Sequence, residues 1–443
     1  MIAAILIAAL LAAAPAQGGS SEHRFTLPSA GEAVATITAG CERCDWGVEG
    51  REAVLVRVLV NGTYIQHLLV SRGEQPAPYR ILLGPLGPGD HRLTLERDDA
   101  RSAPGAGALK IERVEVAGYA EGTPEYEWLA YAPFVHARPG TVERFNDLPI
   151  LAWAERAAWP AKGFHYSVIF THEDGGTPTD RLMATWGRTT DIEFLYGREQ
   201  NAYGARREEM QTRGHEILPF RGPRLGGHPL LWVYTDNNMV TDSGPIDAVR
   251  FGLAPELVSL EHTSREAVMD RHPWTYAVMA AELRREGRID PAAAPGSAKI
   301  PDPRGFAYLE GCAETDRAVF ALEVATTGAD NVTAWHPTDR GEPKFRIARS
   351  GCFRAAVPLP PGTTVDRITG VRLRAYTRPP AQGEAALPPG TGRVTLQRFN
   401  GLFMLDEQYR PGTPRLASDR PLTARGEGDA VPVAVPPSSA RNH

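Results

Sequence analysis

Ala53-Val54-Leu55-Val56-Arg57-Val58-Leu59-Val60-Asn61-Gly62-Thr63-Tyr64-Ile65-Gln66-His67-Leu68-Leu69-Val70 is two apolar runs on either side of an Asn-Gly pair. Asn and Gly both accept positive φ, which a type I′ turn requires at its two central residues, so the stretch predicts a β-hairpin. Working outward, Val34 to Thr38, Tyr79 to Leu83, His91 to Leu95 and Leu109 to Val116 read as further strands, with a second turn at Leu86-Gly87-Pro88-Gly89-Asp90. Short strands with turn signals every ~8–12 residues and no helical pattern between them predict a β-sandwich over residues 17–118.

The whole chain carries the same bias. Among 443 residues there are 44 Gly and 38 Pro, which favour many short turns over long helices. The expected fold class is mainly β, with β-sandwich domains flanking a β-rich central domain that holds one or two helices. The balance of 48 Lys+Arg against 53 Asp+Glu gives a net charge of −5 without any basic block. Nucleic acid and anionic membrane surfaces are therefore excluded as primary partners.

Met1 to Ala14 holds no charged residue and is almost wholly Ile, Leu and Ala. It is shorter than the ~20 residues that span a bilayer, and Ala14-Pro15-Ala16 supplies small residues for cleavage, so residues 1–16 read as a signal peptide. No later run of about 18 apolar residues offers a transmembrane segment. The mature chain is expected to be secreted or periplasmic. In an oxidising compartment the four cysteines suggest two bridges, Cys41 with Cys44 and Cys312 with Cys352. The Cys41-Glu42-Arg43-Cys44 turn is alternatively a redox pair or half of a zinc site.

Residues 119–290 read as the central β-rich domain, which holds seven of the twelve His and six of the eight Trp. Its strongest helix signal begins at Pro273, continues through Tyr276, Met279, Ala280 and Leu283, and stops at Gly287. The Pro- and Ala-rich residues 291–304 read as a linker and 305–410 as a second sandwich. Residues 411–443, poor in large apolar side chains, read as a disordered tail.

No G-x-S-x-G elbow, P-loop, dinucleotide fingerprint, H-E-x-x-H or EF-hand loop occurs, which disfavours a familiar hydrolase, kinase or dehydrogenase. Three strand ends in the central domain carry candidate chemistry instead. Phe164 to Phe170 alternates into Thr171-His172-Glu173-Asp174-Gly175-Gly176, where His172 and Asp174 could ligate a metal or Glu173 could exchange protons. Trp186-Gly187-Arg188-Thr189-Thr190-Asp191-Ile192-Glu193-Phe194 places Asp191 and Glu193 on one strand face, about 6.6 Å apart along the strand. Two carboxylates so placed bind a cation, hold sugar hydroxyls, or divide acid and base roles with His172 assisting, unless Arg188 neutralises them. Finally, Gly226-Gly227-His228-Pro229 leads into an apolar strand containing Trp232, followed by Thr235-Asp236-Asn237-Asn238. Trp186, Arg188, Trp232 and Asn237 are candidate substrate contacts, and Asp174, Asp236 and Asn238 are candidate oxygen ligands for a divalent cation such as Ca²⁺. For each cluster the plainer reading is a solvated turn, an outward strand face or a structural histidine.

Tyr131-Ala132-Pro133-Phe134-Val135, then Asp191-Ile192-Glu193, then His228-Pro229, follow an order that resembles the vacuolar-sorting-associated proteins of the sixty-two type. Asp-Ile-Glu stands here where that family usually has Asp-Trp-Glu. The resemblance implies a β-sheet-rich centre with clustered polar residues and no activity. Asp90-His91-Arg92-Leu93-Thr94-Leu95 is similar to the last strands of carbohydrate-binding jelly rolls, at the level of fold alone. Together these features point to binding of a polysaccharide or cell-envelope glycan. A glycoside hydrolase or lyase using Asp191 and Glu193 is the enzymatic alternative, and a structural or adhesion protein is the third.

Overall fold

A computed structural model describes residues 20–158, 160–173, 175–328 and 332–434. The described chain is mainly strand, with five short α-helices. It divides into two compact units. The first runs to Gly176 and resumes from Thr190 to Ser259, and the second comprises Thr177–Thr189 and everything from Leu260 onward.

In the first unit the decisive hairpin forms as read, with Val54–Val60 paired to Thr63–Val70 and with Asn61 at φ 51° and Gly62 at φ 81°. These strands join Gly89–Arg97 and Ser20–Leu27 in a four-stranded antiparallel sheet. Gly31–Cys41, Ala77–Leu86 and Leu109–Ala120 make a three-stranded one. Alternation buries Val56, Val58, Leu93 and Leu95 on the first sheet and Ile37 and Val114 on the second. A six-stranded sheet follows, ordered Glu216–Pro219, Arg206–Thr212, Asp191–Gln200, Lys162–Phe170, Pro149–Arg156 and Glu256–Val258. A smaller mixed sheet is built on Phe134–His136 and His228–Val233, which run parallel. Gln66 ties the N-terminal strands to this part of the unit, donating to Gly252 O at 3.1 Å and accepting from Gly252 N at 2.5 Å. The N-terminal sandwich and the central sheets therefore form one compact body.

The second unit contains a sandwich. The sheet Gly351–Pro358, Phe306–Asp316, Arg393–Phe403, Leu422–Arg425 and the sheet Thr333–Pro337, Ala318–Thr327, Ile368–Thr377, Val431–Ala434 share one core, including Leu309, Phe320, Leu322, Phe353, Leu373 and Leu396. Cys312 and Cys352 are directly paired residues of neighbouring strands and form a disulfide, as Cys41 and Cys44 do in the first unit. The helix signalled near Pro273 spans Trp274–Arg285, with Gly287 at φ 64°, and it belongs to this unit.

Three readings of the sequence change. The stretch 291–304 is not a free linker: Asp290 N donates to Ile300 O at 2.8 Å, Ile300 N donates to Arg288 O at 2.9 Å, and Ile300 is buried. The tail is ordered into the sandwich as far as Ala434, because its main chain completes both sheets and Ala424 and Val433 enter the core. The central region is also split, since Thr179–Trp186 forms a helix in the second unit while the strand from Asp191 lies in the first. The proposed leader, residues 1–16, lies outside the described residues.

Candidate functional site

The three strand ends singled out in the sequence do converge in part, within the first unit. Lys162–Phe170 pairs antiparallel with Asp191–Gln200, so that Phe170 lies opposite Asp191 and Val168 opposite Glu193. Thr171 N then donates to Leu148 O at 3.0 Å, which turns the chain into the loop beginning at His172. The loop after Tyr234 is closed by its own short polar residues, as Met239 N donates to Thr235 Oγ1 at 2.9 Å and Thr235 Oγ1 donates to Asn237 Oδ1 at 2.9 Å. This geometry places Asn238 at φ 54°, a left-handed conformation that Asn tolerates better than most residues. A Cβ on Gly175 would stand 2.8 Å from Asn237 Cβ, so the two loops approach as closely as they do only because that position lacks a side chain.

Asn238 is the point where the three pieces meet. Its Nδ2 donates to Asp191 Oδ2 at 3.0 Å and to His172 O at 3.3 Å. Asp191 is 1% exposed, His172 1% and Asn238 0%, so what the strand ends enclose is a buried polar knot. Asp191, expected as a catalytic or cation-binding carboxylate, is closed off by this amide. Asp236 points elsewhere, accepting from Arg138 Nη1 at 2.8 Å, while Arg138 Nη2 donates to buried Asp147 at 2.7 Å. Asp236 thus spends its carboxylate on Arg138 and Asn238 its Nδ2 on the knot, while Asn238 Oδ1 is buried without a hydrogen-bond partner among the described residues. Asp174 lies outside the described residues. Among the described residues no group of three or more His, Cys, Asp or Glu is arranged to hold a metal ion.

Glu193 sits differently from Asp191. Its Oε2 accepts from Gln211 Nε2 at 2.5 Å and lies 3.9 Å from His215 Nδ1, and His215 itself is 60% exposed. Nearby, Tyr234 exposes part of its ring while its hydroxyl bonds Thr212 Oγ1 at 2.7 Å and accepts from Arg213 N at 2.9 Å. Glu193 and Gln211 are each 8% exposed, so the lip they form with His215 and Tyr234 opens to solvent mainly through the imidazole and the phenol. The sequence had offered Glu193 alone, because Gln211 and His215 stand in an unremarkable charged strand and its turn.

The other expected contacts separate from this lip. Trp232 is buried, donates Nε1 to Pro245 O at 2.9 Å and stacks on His136 with ring centres 4.3 Å apart, so it is no open platform for a ligand. His136 Nδ1 donates to Leu231 O at 3.1 Å, and burial pulls its pKa down to about 4, which keeps the ring neutral. His228 is structural, with Nδ1 2.8 Å from Ala132 O and Nε2 2.9 Å from Glu32 Oε2. Trp186 and Arg188 belong to the second unit. There Arg349 lies 5.4 Å from the Trp186 ring centre, and Arg188 pairs with Glu266 at 3.1 Å.

No family model matches the chain, and no curated protein matches it. Among solved structures, a family 35 carbohydrate binding module from an environmental isolate is similar at 23% identity and a TM-score of 0.18, covering 23% of this chain and 66% of that one. The GH26-CBM35 beta-(1,4)-mannanase of Podospora anserina is similar at 11% identity and a TM-score of 0.18, over 24% of this chain and 20% of that one. The EclA C-terminal domain, a sugar-binding protein, is similar at 14% identity and a TM-score of 0.18, over 26% and 81%. The chain thus spans one fifth to about two thirds of the first two matches. Likenesses this slight leave the functional argument to the chain's own residues.

Proposed function

We propose that the protein is exported and binds neutral glycan at the lip formed by Glu193, Gln211, His215 and Tyr234. The observation that carries this reading is Glu193 itself. Its buried carboxylate is held in place by the Gln211 amide and lies 3.9 Å from the exposed His215 imidazole, while Tyr234 is tied to Thr212, the residue after Gln211. Fixed carboxylates and amides read sugar hydroxyls, and an aromatic face takes the apolar side of a sugar ring. A carboxylate at the centre of the lip repels anionic sugars and so selects neutral ones. Two disulfides are in keeping with an oxidising compartment, and no helix among the described residues is long and apolar enough to cross a membrane.

Hydrolysis is the weaker reading. A glycosidase needs two carboxyl groups facing the same bond, about 5–10 Å apart. Here Asp191 is 1% exposed and bound by Asn238, and Glu193 is 8% exposed and bound by Gln211.

The test is titration of the full chain with a panel of neutral oligosaccharides. Glu193→Gln and Tyr234→Ala are each expected to weaken binding about tenfold, the loss of one good polar contact or of one stacked ring. The reading fails if no neutral glycan binds, or if both variants bind as tightly as the parent while retaining its circular dichroism spectrum.

A further inference from the structure

The second unit carries a different constellation on the outer face of the sheet Thr333–Pro337, Ala318–Thr327, Ile368–Thr377, Val431–Ala434. Residues that pair across strands share a face, so Trp335, Ala325 and Gly370 form one row, and Glu323 and Arg372 the next. The core lies on the opposite face, where Leu322, Val324, Val371 and Leu373 point. Trp335 spans small neighbours on this outer face. A Cβ at Gly370 would meet its ring at 3.7 Å, and the ring remains 38% exposed.

Two guanidinium groups stand beside it. Arg372 lies over the Trp335 ring, 4.0 Å from its centre. Arg372 donates its Nε to one oxygen of Glu323, and Arg374 donates its Nε to the other oxygen at 2.6 Å. One buried carboxylate thereby fixes two arginines by their inner edges. Their Nη groups have no hydrogen-bond partner among the described residues, and the side chains are 27% and 32% exposed. Further along the same face Arg346 lies 3.4 Å from the Tyr376 ring centre and is bound to Asp339 at 3.0 Å. Asp429 acts electrostatically on Arg374, and Glu427 feels Arg346, so the acidic groups gather toward the Tyr376 end.

Paired planar donors with a free outer edge match the two oxygens of a carboxylate or sulfate, a geometry that an ammonium group cannot reproduce. A partly exposed indole beside them supplies the surface on which a sugar ring rests. We infer that this face is a second saccharide site, in which Arg372 and Arg374 hold a carboxylate or sulfate group of an anionic polysaccharide and Trp335 supports the adjoining sugar ring. It stands independently of the lip in the first unit, which has the opposite charge preference.

Affinity electrophoresis of the full chain through gels containing polygalacturonate, a sulfated galactan or neutral glucan tests it. Retardation is expected with the carboxylated or the sulfated polymer, or both, and is expected to weaken as salt rises. Which of the two retards the chain identifies the group that is held. Trp335→Ala and the pair Arg372→Gln with Arg374→Gln should each reduce retention at least about tenfold, the value of one charge-assisted contact. Arg372→Lys with Arg374→Lys keeps the charge and loses the fork, so it should retain part of the binding. The inference is overturned if neither anionic polymer retards the chain, or if the paired Gln variant, folded by circular dichroism, is retarded like the parent. A chain retarded only by neutral glucan overturns this inference and leaves the proposal for Glu193 standing.

Discussion

Two buried clusters, one in each unit, keep their polar groups by different means. In the first, Asp191 is met by the Asn238 amide, and His136 is kept neutral against Trp232. In the second, full charges are buried against one another. Arg354, 1% exposed, donates to both Asp270 oxygens at 2.7 and 2.6 Å, to the Tyr276 hydroxyl at 2.7 Å and to Glu310. Burial works against the Arg354 cation, and Asp270, Tyr276 and Glu310 overcome it to hold its pKa well above the ordinary arginine value. The contrast shows that a buried group can be kept by removing its charge or by surrounding it with partners, and the two solutions respond differently to mutation and to acid.

The largest expected effect comes from deleting the hub of the second arrangement. Arg354→Met strands the buried Glu310 and takes both guanidinium hydrogen bonds from the half-buried Asp270, and should cost about 3–5 kcal/mol. Urea unfolding followed by a probe in the second unit checks this. A loss below about 1 kcal/mol, the scale of an exposed ion pair, would show that the network is not the fastening described.

Acid sharpens the contrast further. The folded pKa of His136 is about 4, below the ~6.5 of an unfolded chain, so the unfolded state takes up the proton first. Stability from this group is therefore complete above about pH 6.5 and falls as pH drops toward 4, by about 3 kcal/mol in all. Glu266 in the second unit behaves otherwise. Burial raises its pKa, but Arg188, Arg349 and Arg354 prevail and hold it below the ordinary carboxylate value. Its contribution is present above about pH 4.3 and is lost only as pH falls through the lower folded value. The first unit should thus soften between pH 6.5 and 4 before the second does. His136→Phe, which preserves a ring beside Trp232, should flatten that window, and an unchanged pH profile in the variant would refute the assignment.

The smallest effect is expected at the knot. Asn238→Ala removes two buried hydrogen bonds and leaves Asp191 without its amide, which should cost about 2 kcal/mol. Asn238→Gly loses the same bonds but suits φ 54°, so it should be the milder change if backbone strain matters at that position. Thermal midpoints of the two variants, compared side by side, decide this.

Local signals were legible wherever one residue type carries the constraint. Asn61-Gly62 dictates its hairpin through two positive φ angles, and the spacing of Tyr276, Met279 and Leu283 dictates its helix. The strand ends that carry Asp191 and His172 were recognisable, and Asn238 Nδ2 bonds the Asp191 carboxylate and the His172 carbonyl. What surrounds them was not legible, because Gln211 reaches Glu193 from 18 residues away and Met239 in turn meets Gln211 from 28 residues away. Arg188 pairs with buried Glu266, 78 residues further along, a partner that its neighbourhood in the sequence does not reveal. The helix Thr179–Trp186 escaped notice because it is eight residues long and has no side-chain cap. The tail was misjudged because strands Leu422–Arg425 and Val431–Ala434 are recruited mainly by main-chain pairing, which composition does not record.

That short helix also dictates how the protein can be made. Leu182 and Met183 are fully buried, Gly296 N donates to Asp180 at 2.5 Å and Arg349 donates to Thr185 O at 2.8 Å. A nascent chain therefore releases Thr177–Thr189 from the ribosome long before residues 296 and 349 exist to receive it. No single cut in the gene yields either body whole: ending the message near Ser259 strands an apolar helix, and starting it near Leu260 omits one. Synthesis must hold that segment unclaimed until the last strands arrive, which makes the two bodies obligate products of one uninterrupted translation.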